Sequence, residues 1–182
     1  MAESLTPEIV SKHVFNWMQE TANSSLTSFK DYLKHDNMDE AKFELMLIYY
    51  LTLVRVLKRD LERNFDEYET TLFEHLLSYA ESKGIIAKLS PNEFDFLNDR
   101  LKMINDDLGE RYDDHNWMMA QSIHAIYYEP LKSSITVDNC FLNRSDLDSS
   151  NPIMFMFSND LLKRIDTLTS TLGLITAKIN MG

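Results

Sequence analysis

Apolar positions recur along most of this chain at intervals of three and four residues, the spacing that puts side chains on one face of an α-helix. The first such stretch opens at Thr6-Pro7, a capping threonine followed by proline at the first helical position. It continues through Phe15, Met18, Ala22, Leu26, Phe29 and Leu33. Asn23-Ser24-Ser25 lies in its middle, and these residues compete for backbone hydrogen bonds, so the helix can kink or break there.

The second stretch starts near Asn37, with Glu40 at the spacing of a capping box, and runs through AKFELMLIYYLTLVRVLKRDLE. Its first half is apolar on every face, the pattern of a helix enclosed by others. Its second half is amphipathic. Met46, Tyr50, Leu53, Leu57 and Leu61 share one face, and Arg55, Arg59 and Arg63 form a row on the opposite one.

Asn64 with Glu67 suggests a cap for a third helix carrying Tyr68, Leu72, Phe73, Leu76, Leu77 and Ala80, with Gly84 as its stop. Ser90-Pro91-Asn92-Glu93 is the clearest helix start in the chain. Behind it, Phe94, Leu97, Leu101, Ile104 and Leu108 alternate at three and four, and Gly109 can end the helix. A fifth helix, around Asn116 to Glu129, holds Trp117, Met118, Ile123, Ile126 and Tyr127 and stops before Pro130. Residues 131–151 are rich in Ser, Asp and Asn and read as a long polar loop, with Ser134 to Val137 as a candidate short strand. Asn151-Pro152 starts the last helix, in which Leu161, Ile165, Leu168, Leu172, Ile175 and Ile179 repeat at four and three. The pattern predicts an all-α fold: one domain over 1–182, an irregular bundle of five to six helices around a central apolar helix at about 40–62.

Composition agrees with few, long helices. Gly 4 and Pro 4 among 182 residues leave little turn material, where average usage would give roughly 13 and 9. The single cysteine, Cys140, excludes an internal disulfide and any multi-cysteine zinc site. The opening MAESLTPEIV does not resemble a secretory signal, and the longest apolar run, Leu45 to Leu51, is far shorter than a membrane helix needs. A cytoplasmic protein is expected, which makes the sequons at Asn23 and Asn143 coincidental. The formal net charge of −11 repels nucleic acid and anionic membranes at long range and speeds encounter with a basic partner.

Catalytic signatures are scarce. The sequence has no Gly-x-Gly-x-x-Gly, P-loop, Gly-x-Ser-x-Gly or His-Glu-x-x-His. A bundle di-iron site needs Glu three residues before His, and none of the five histidines has it. Asp113-Asp114-His115 sit side by side, and successive helical residues diverge, so the trio reads as a solvated helix start. Asp146-x-Asp148-x-Ser150 lacks the glycine and the bidentate glutamate of a calcium loop. Cys140 lacks a surrounding nucleophile signature, and His124 reads as a buried, hydrogen-bonded histidine beside Gln121 and Tyr128. No metal or other cofactor is expected.

Three features point toward binding. Met 10 is rich, and methionine fills cores and adaptable surfaces alike. The Arg55, Arg59, Arg63 row could grip an anionic group, although pairing with acids such as Glu67 is the simpler account. The stripes at 94–108 and 161–179 have the spacing of a coiled-coil seam; with the apolar run Ile153 to Phe157 they suggest a homodimer beyond the chain's own core. The expected function is therefore a non-enzymatic interaction or regulatory protein working through helix faces. A basic protein is its favoured partner, because 93–114 carries eight acids against three bases. The competing expectation is a small-molecule-binding bundle. Its apolar pocket would be lined by Met46, Tyr49, Tyr50, Trp117 and Met118.

Overall fold

The computed structural model describes residues 5–28, 38–61, 64–85, 101–102 and 152–180. These residues are all-helical, with four helices and no strand among them: α1 (Pro7–Ser28), α2 (Met38–Leu61), α3 (Phe65–Ser82) and α4 (Pro152–Asn180). Leu101 and Lys102 are also helical. The rest of the fourth sequence-predicted helix, the fifth helix and the loop at 131–151 lie outside the described residues. None of the described helices is long and apolar enough to cross a membrane.

Local signals explain the start of α1 and the end of α3. In α1 the Thr6 carbonyl accepts from the Val10 amide at 3.0 Å, and the Thr6 hydroxyl takes the Ile9 amide at a long 3.4 Å. Helix α1 runs unbroken through Asn23-Ser24-Ser25. Ser25 points into the protein, while Asn23 and Ser24 face solvent and their carbonyls take the hydroxyls of Thr27 and Ser28. At α3 the sequence misleads: Asn64 precedes the helix but its side chain caps nothing. The hydrophobic effect places this start, because Phe65 itself is buried. The α3 C-terminus follows its sequence. Gly84 adopts φ 66°, its amide reaches the Glu81 carbonyl and the Ile85 amide reaches Ala80, each at 2.9 Å. These are the paired bonds of a Schellman cap, and Ile85 is buried, as the residue after the glycine often is in that motif.

Helices α1 and α2 form the centre. Helix α3 packs mainly on α1 and α4 mainly on α2, so the two outer helices scarcely meet. Side-chain pairs give the directions. Leu5 and Ser11 meet Tyr68, and further along Phe15 meets His75 and Tyr79, so α1 and α3 run parallel. Phe43 near the start of α2 meets Tyr79 near the end of α3, and Tyr50 further along meets Phe73, so α2 opposes α3. Thr176 and Asn180 at the end of α4 bond Asp60 at the end of α2, so these two run together.

The central position of α2 matches its sequence. Leu45 to Tyr50 are six successive buried residues, which only a helix covered on all sides can show. Helix α4 turns Leu161, Ile165, Leu168 and Leu172 into the same core. The 161–172 stripe is thus spent within the chain. Each such leucine contributes on the order of 2–5 kcal/mol when judged by truncation to alanine.

Candidate functional site

The most distinctive described surface is the outer side of α3. Phe65, Tyr68, Leu72, Leu76, Tyr79 and Ala80 take the core, leaving Asp66, Glu67, Glu74 and Glu81 exposed. Glu67, Glu74 and Glu81 are spaced by seven, which is close to two helical turns, so they fall on one side and make an acidic ridge. Asp66 stands beside its first member. Glu69 flanks it, half-buried. Burial raises its pKa, the Asp66 charge adds to the rise, and Lys58 opposes it. Phe65–Ser82 contains these five acids and neither Lys nor Arg.

A second cluster lies at the corner of α1, α2 and α3. The Phe15 ring stacks on His75 at 5.5 Å, and Tyr79 packs on Phe15 and Phe43. The Lys42 and Lys83 ammonium groups lie 5.4 and 5.9 Å from the Tyr79 ring centre, within cation–π range. Lys83 is paired with Asp39 at 3.0 Å, whereas Lys42 donates to Gln19 Oε1 at 3.3 Å. Burial pushes the Tyr79 hydroxyl up to about 12, reinforced by the Asp39 carboxylate, and that hydroxyl completes no hydrogen bond. His75 Nε2 lies 3.7 Å from Glu8 Oε1, too far for a hydrogen bond.

The third cluster joins α1, α2 and α4. Ser25, fully buried, donates to Asp160 Oδ2 at 2.7 Å, and Arg164 Nε donates to the same oxygen at 2.6 Å. The Tyr49 hydroxyl is enclosed beside this triad yet completes no hydrogen bond. Burial raises its pKa, Ser25 and then Arg164 pull it down, and Asp160 pushes it up.

The residues singled out in the sequence separate in space. Met46, Tyr49 and Tyr50 are all buried. Tyr49 faces the Ser25 triad, while Tyr50 meets Phe73 edge-on at 6.2 Å toward α3. Burial, helped by the Glu69 charge, raises the Tyr50 hydroxyl pKa. Arg55 is half-buried and Arg59 exposed, away from that interior. Arg59 Nε bonds Asp60 Oδ1 at 2.7 Å, and Asp60 also accepts from Thr176 at 2.7 Å. Arg59 therefore belongs to the clasp between α2 and α4. Arg63, Trp117 and Met118 lie outside the described residues.

Periodicity carried no signal for the Ser25–Asp160 bond, whose partners stand 135 residues apart. It did carry one for the ridge, since the spacing of the core positions of α3 fixes where its acids point. Among the described residues no three His, Cys, Asp or Glu side chains are grouped so as to hold a metal ion. No protein-family model, curated protein or solved structure matches this chain.

Proposed function

We propose that this chain is a non-enzymatic interaction protein that works through its helix faces, with the α3 ridge docking a basic protein partner. One observation supports it: a surface helix holds five acids with no Lys or Arg. Neighbours along the ridge, seven residues apart, are separated by about 10 Å of helix axis. That is about one Debye length at 0.1 M salt, so their fields overlap rather than act singly. Asp66 and Glu69 stand three apart and repel each other, a pairing that destabilises a helix by about 0.2–0.5 kcal/mol. A cationic surface relieves such repulsion on docking, and the same field steers it in. The −11 net charge disfavours nucleic acid and anionic membranes as occupants, and a cytoplasmic setting fits this reading.

The finer architecture belongs to the same proposal. Segments 94–108 and 116–129 supply the fifth and sixth helices around α2, a reading that buried Leu101 beside exposed Lys102 favours. A homodimer is included as well. From Thr167 to Ala177 α4 carries no charge, and Leu174 on its outer side is 69% exposed. The second reading, a small-molecule-binding bundle, draws support from the unmet Tyr49 hydroxyl inside the α1–α2–α4 cluster.

Native mass spectrometry on protein purified from its own source tests both. A co-purifying basic polypeptide should be lost from a Glu67→Gln, Glu74→Lys double variant whose helicity and melting temperature are unchanged. A partner retained by the altered ridge refutes the docking assignment. Extra mass of a few hundred daltons, insensitive to that alteration, places the small-molecule reading first.

A further inference from the structure

The outer side of α4 carries the two large apolar side chains that stand exposed among the described residues: Met156 is 60% exposed and Leu174 69%. Single apolar residues on a surface are ordinary. These two share a line, because they are 18 residues apart, which is five turns of about 3.6 residues each. Along that line lie Lys163, Thr167 and Ser170, all exposed, with Asp166 just to one side of it. Neither Lys163 nor Asp166 forms an ion pair among the described residues. Ile165 and Leu172 mark the core side, half a turn away, so the line is no part of the interior. Charge singles out the same helix. Pro152–Asn180 contains three bases and two acids, whereas α3 has five acids and no Lys or Arg. In a chain of net charge −11, a second copy meets less repulsion on α4 than on the other described helices.

We propose that two copies of this chain pair through α4 as an antiparallel helix dimer, its twofold axis crossing the outer side of the helix at the level of residue 165. This interface rests on the homodimer reading above and does not involve the α3 ridge. A twofold contact uses one surface on both subunits, so each pairing occurs twice. An axis at residue 165 sets Met156 against Leu174 of the partner subunit, nine residues to either side. The same register brings Lys163 level with Asp166 of the partner subunit to within one residue's rise, about 1.5 Å. Residue 165 is also close to the middle of Pro152–Asn180, so the two helices overlap over nearly their whole length. A parallel pair would match the apolar ends equally well, but it sets Lys163 against Lys163 of the partner subunit in the centre of the seam. Charge therefore selects the antiparallel pair. Thr167 and Ser170, between the apolar ends, are small enough to let the helices approach. Gly173 stands about 100° round the helix from Leu174, at the edge of the seam.

The test uses the full chain in a Cys140→Ser background, which removes the single native thiol. Met156→Cys protein mixed with Leu174→Cys protein and mildly oxidised should form disulfide-linked dimer several-fold faster than either protein alone. Like positions lie about 27 Å apart along the antiparallel seam, so neither protein can readily link to itself. Sedimentation across a concentration series gives the second readout. Lys163→Glu should weaken the dimer several-fold, and Lys163→Glu combined with Asp166→Lys should restore it, with helicity unchanged in both. No preference for the mixture overturns the antiparallel register; if the parent still sediments as a dimer, the homodimer reading survives that failure. A Lys163→Glu dimer as strong as the parent's, or a charge-swapped variant that stays dissociated, also overturns the register. A parent that sediments as a monomer at every concentration removes both.

Discussion

Replacing Gly173 by alanine should stabilise this protein. Gly173 lies well inside α4, without a positive φ, and a methyl group built on it meets nothing within 4 Å. The stretch around it, TLTSTLGLITA, is rich in threonine, which is a poor helix former. Packing of Leu168, Leu172 and Thr176 on the core therefore holds this part of α4 helical. Glycine there adds backbone freedom to the unfolded chain and no contact to the folded one. Its removal is worth about 0.5–1 kcal/mol. For a chain of 182 residues that amounts to roughly 1–4 °C in melting temperature. Urea unfolding followed by circular dichroism should show a higher midpoint at unchanged slope. Gly84 supplies the internal contrast. Open space surrounds it as well, but its φ of 66° is one an L side chain resists. Gly84→Ala should cost about 1–2 kcal/mol. The reasoning is refuted if Gly173→Ala destabilises. A loss that deepened as the protein was concentrated would mean that a second copy seats against Gly173 and Leu174, so that the methyl group meets a partner helix.

Ser25→Ala should cost about 1.5 kcal/mol, since a hydrogen bond from a fully buried hydroxyl to a carboxylate is lost; a denaturation midpoint within error of the parent would show that Arg164 alone satisfies Asp160. The Asp60 carboxyl is held below its ordinary 3.8, first by its bond from Arg59 and then by Thr176, against the opposing effect of burial. Its contribution is complete above that ordinary value and is lost as pH falls through the depressed folded one. Acid titration of stability should thus be flatter in Asp60→Asn below pH 4 or so, and identical acid limbs would disprove the linkage. Leu101→Asp puts a carboxylate at an 8% exposed position, and a loss of at least about 3 kcal/mol is expected; unchanged stability and mass would remove residue 101 from any seam.

Local periodicity was enough to place the described helices and the dry side of each. A repeat of three and four is a property of local geometry, so Thr6-Pro7, Gly84 and Pro152 could be read as boundaries without knowing any neighbour. The unbroken apolar run in α2 likewise announced a helix covered on all sides, and Leu45 to Tyr50 are so covered. The dry side of α3 was legible too, although the acidic face read from the sequence was 93–114, most of which lies outside the described residues, and not the α3 ridge. Tertiary structure alone decided the rest. Asn64 has a capping residue's chemistry, yet the burial of Phe65 sets that helix start. Arg59 belongs to a row of three in sequence, but Asp60, held by Thr176 from α4, claims it. Lys42 looks like any other lysine until Gln19, Tyr79 and Lys83 close around it. Those outcomes depend on groups brought together from distant parts of the chain, and on the desolvation they impose, neither of which any local repeat encodes.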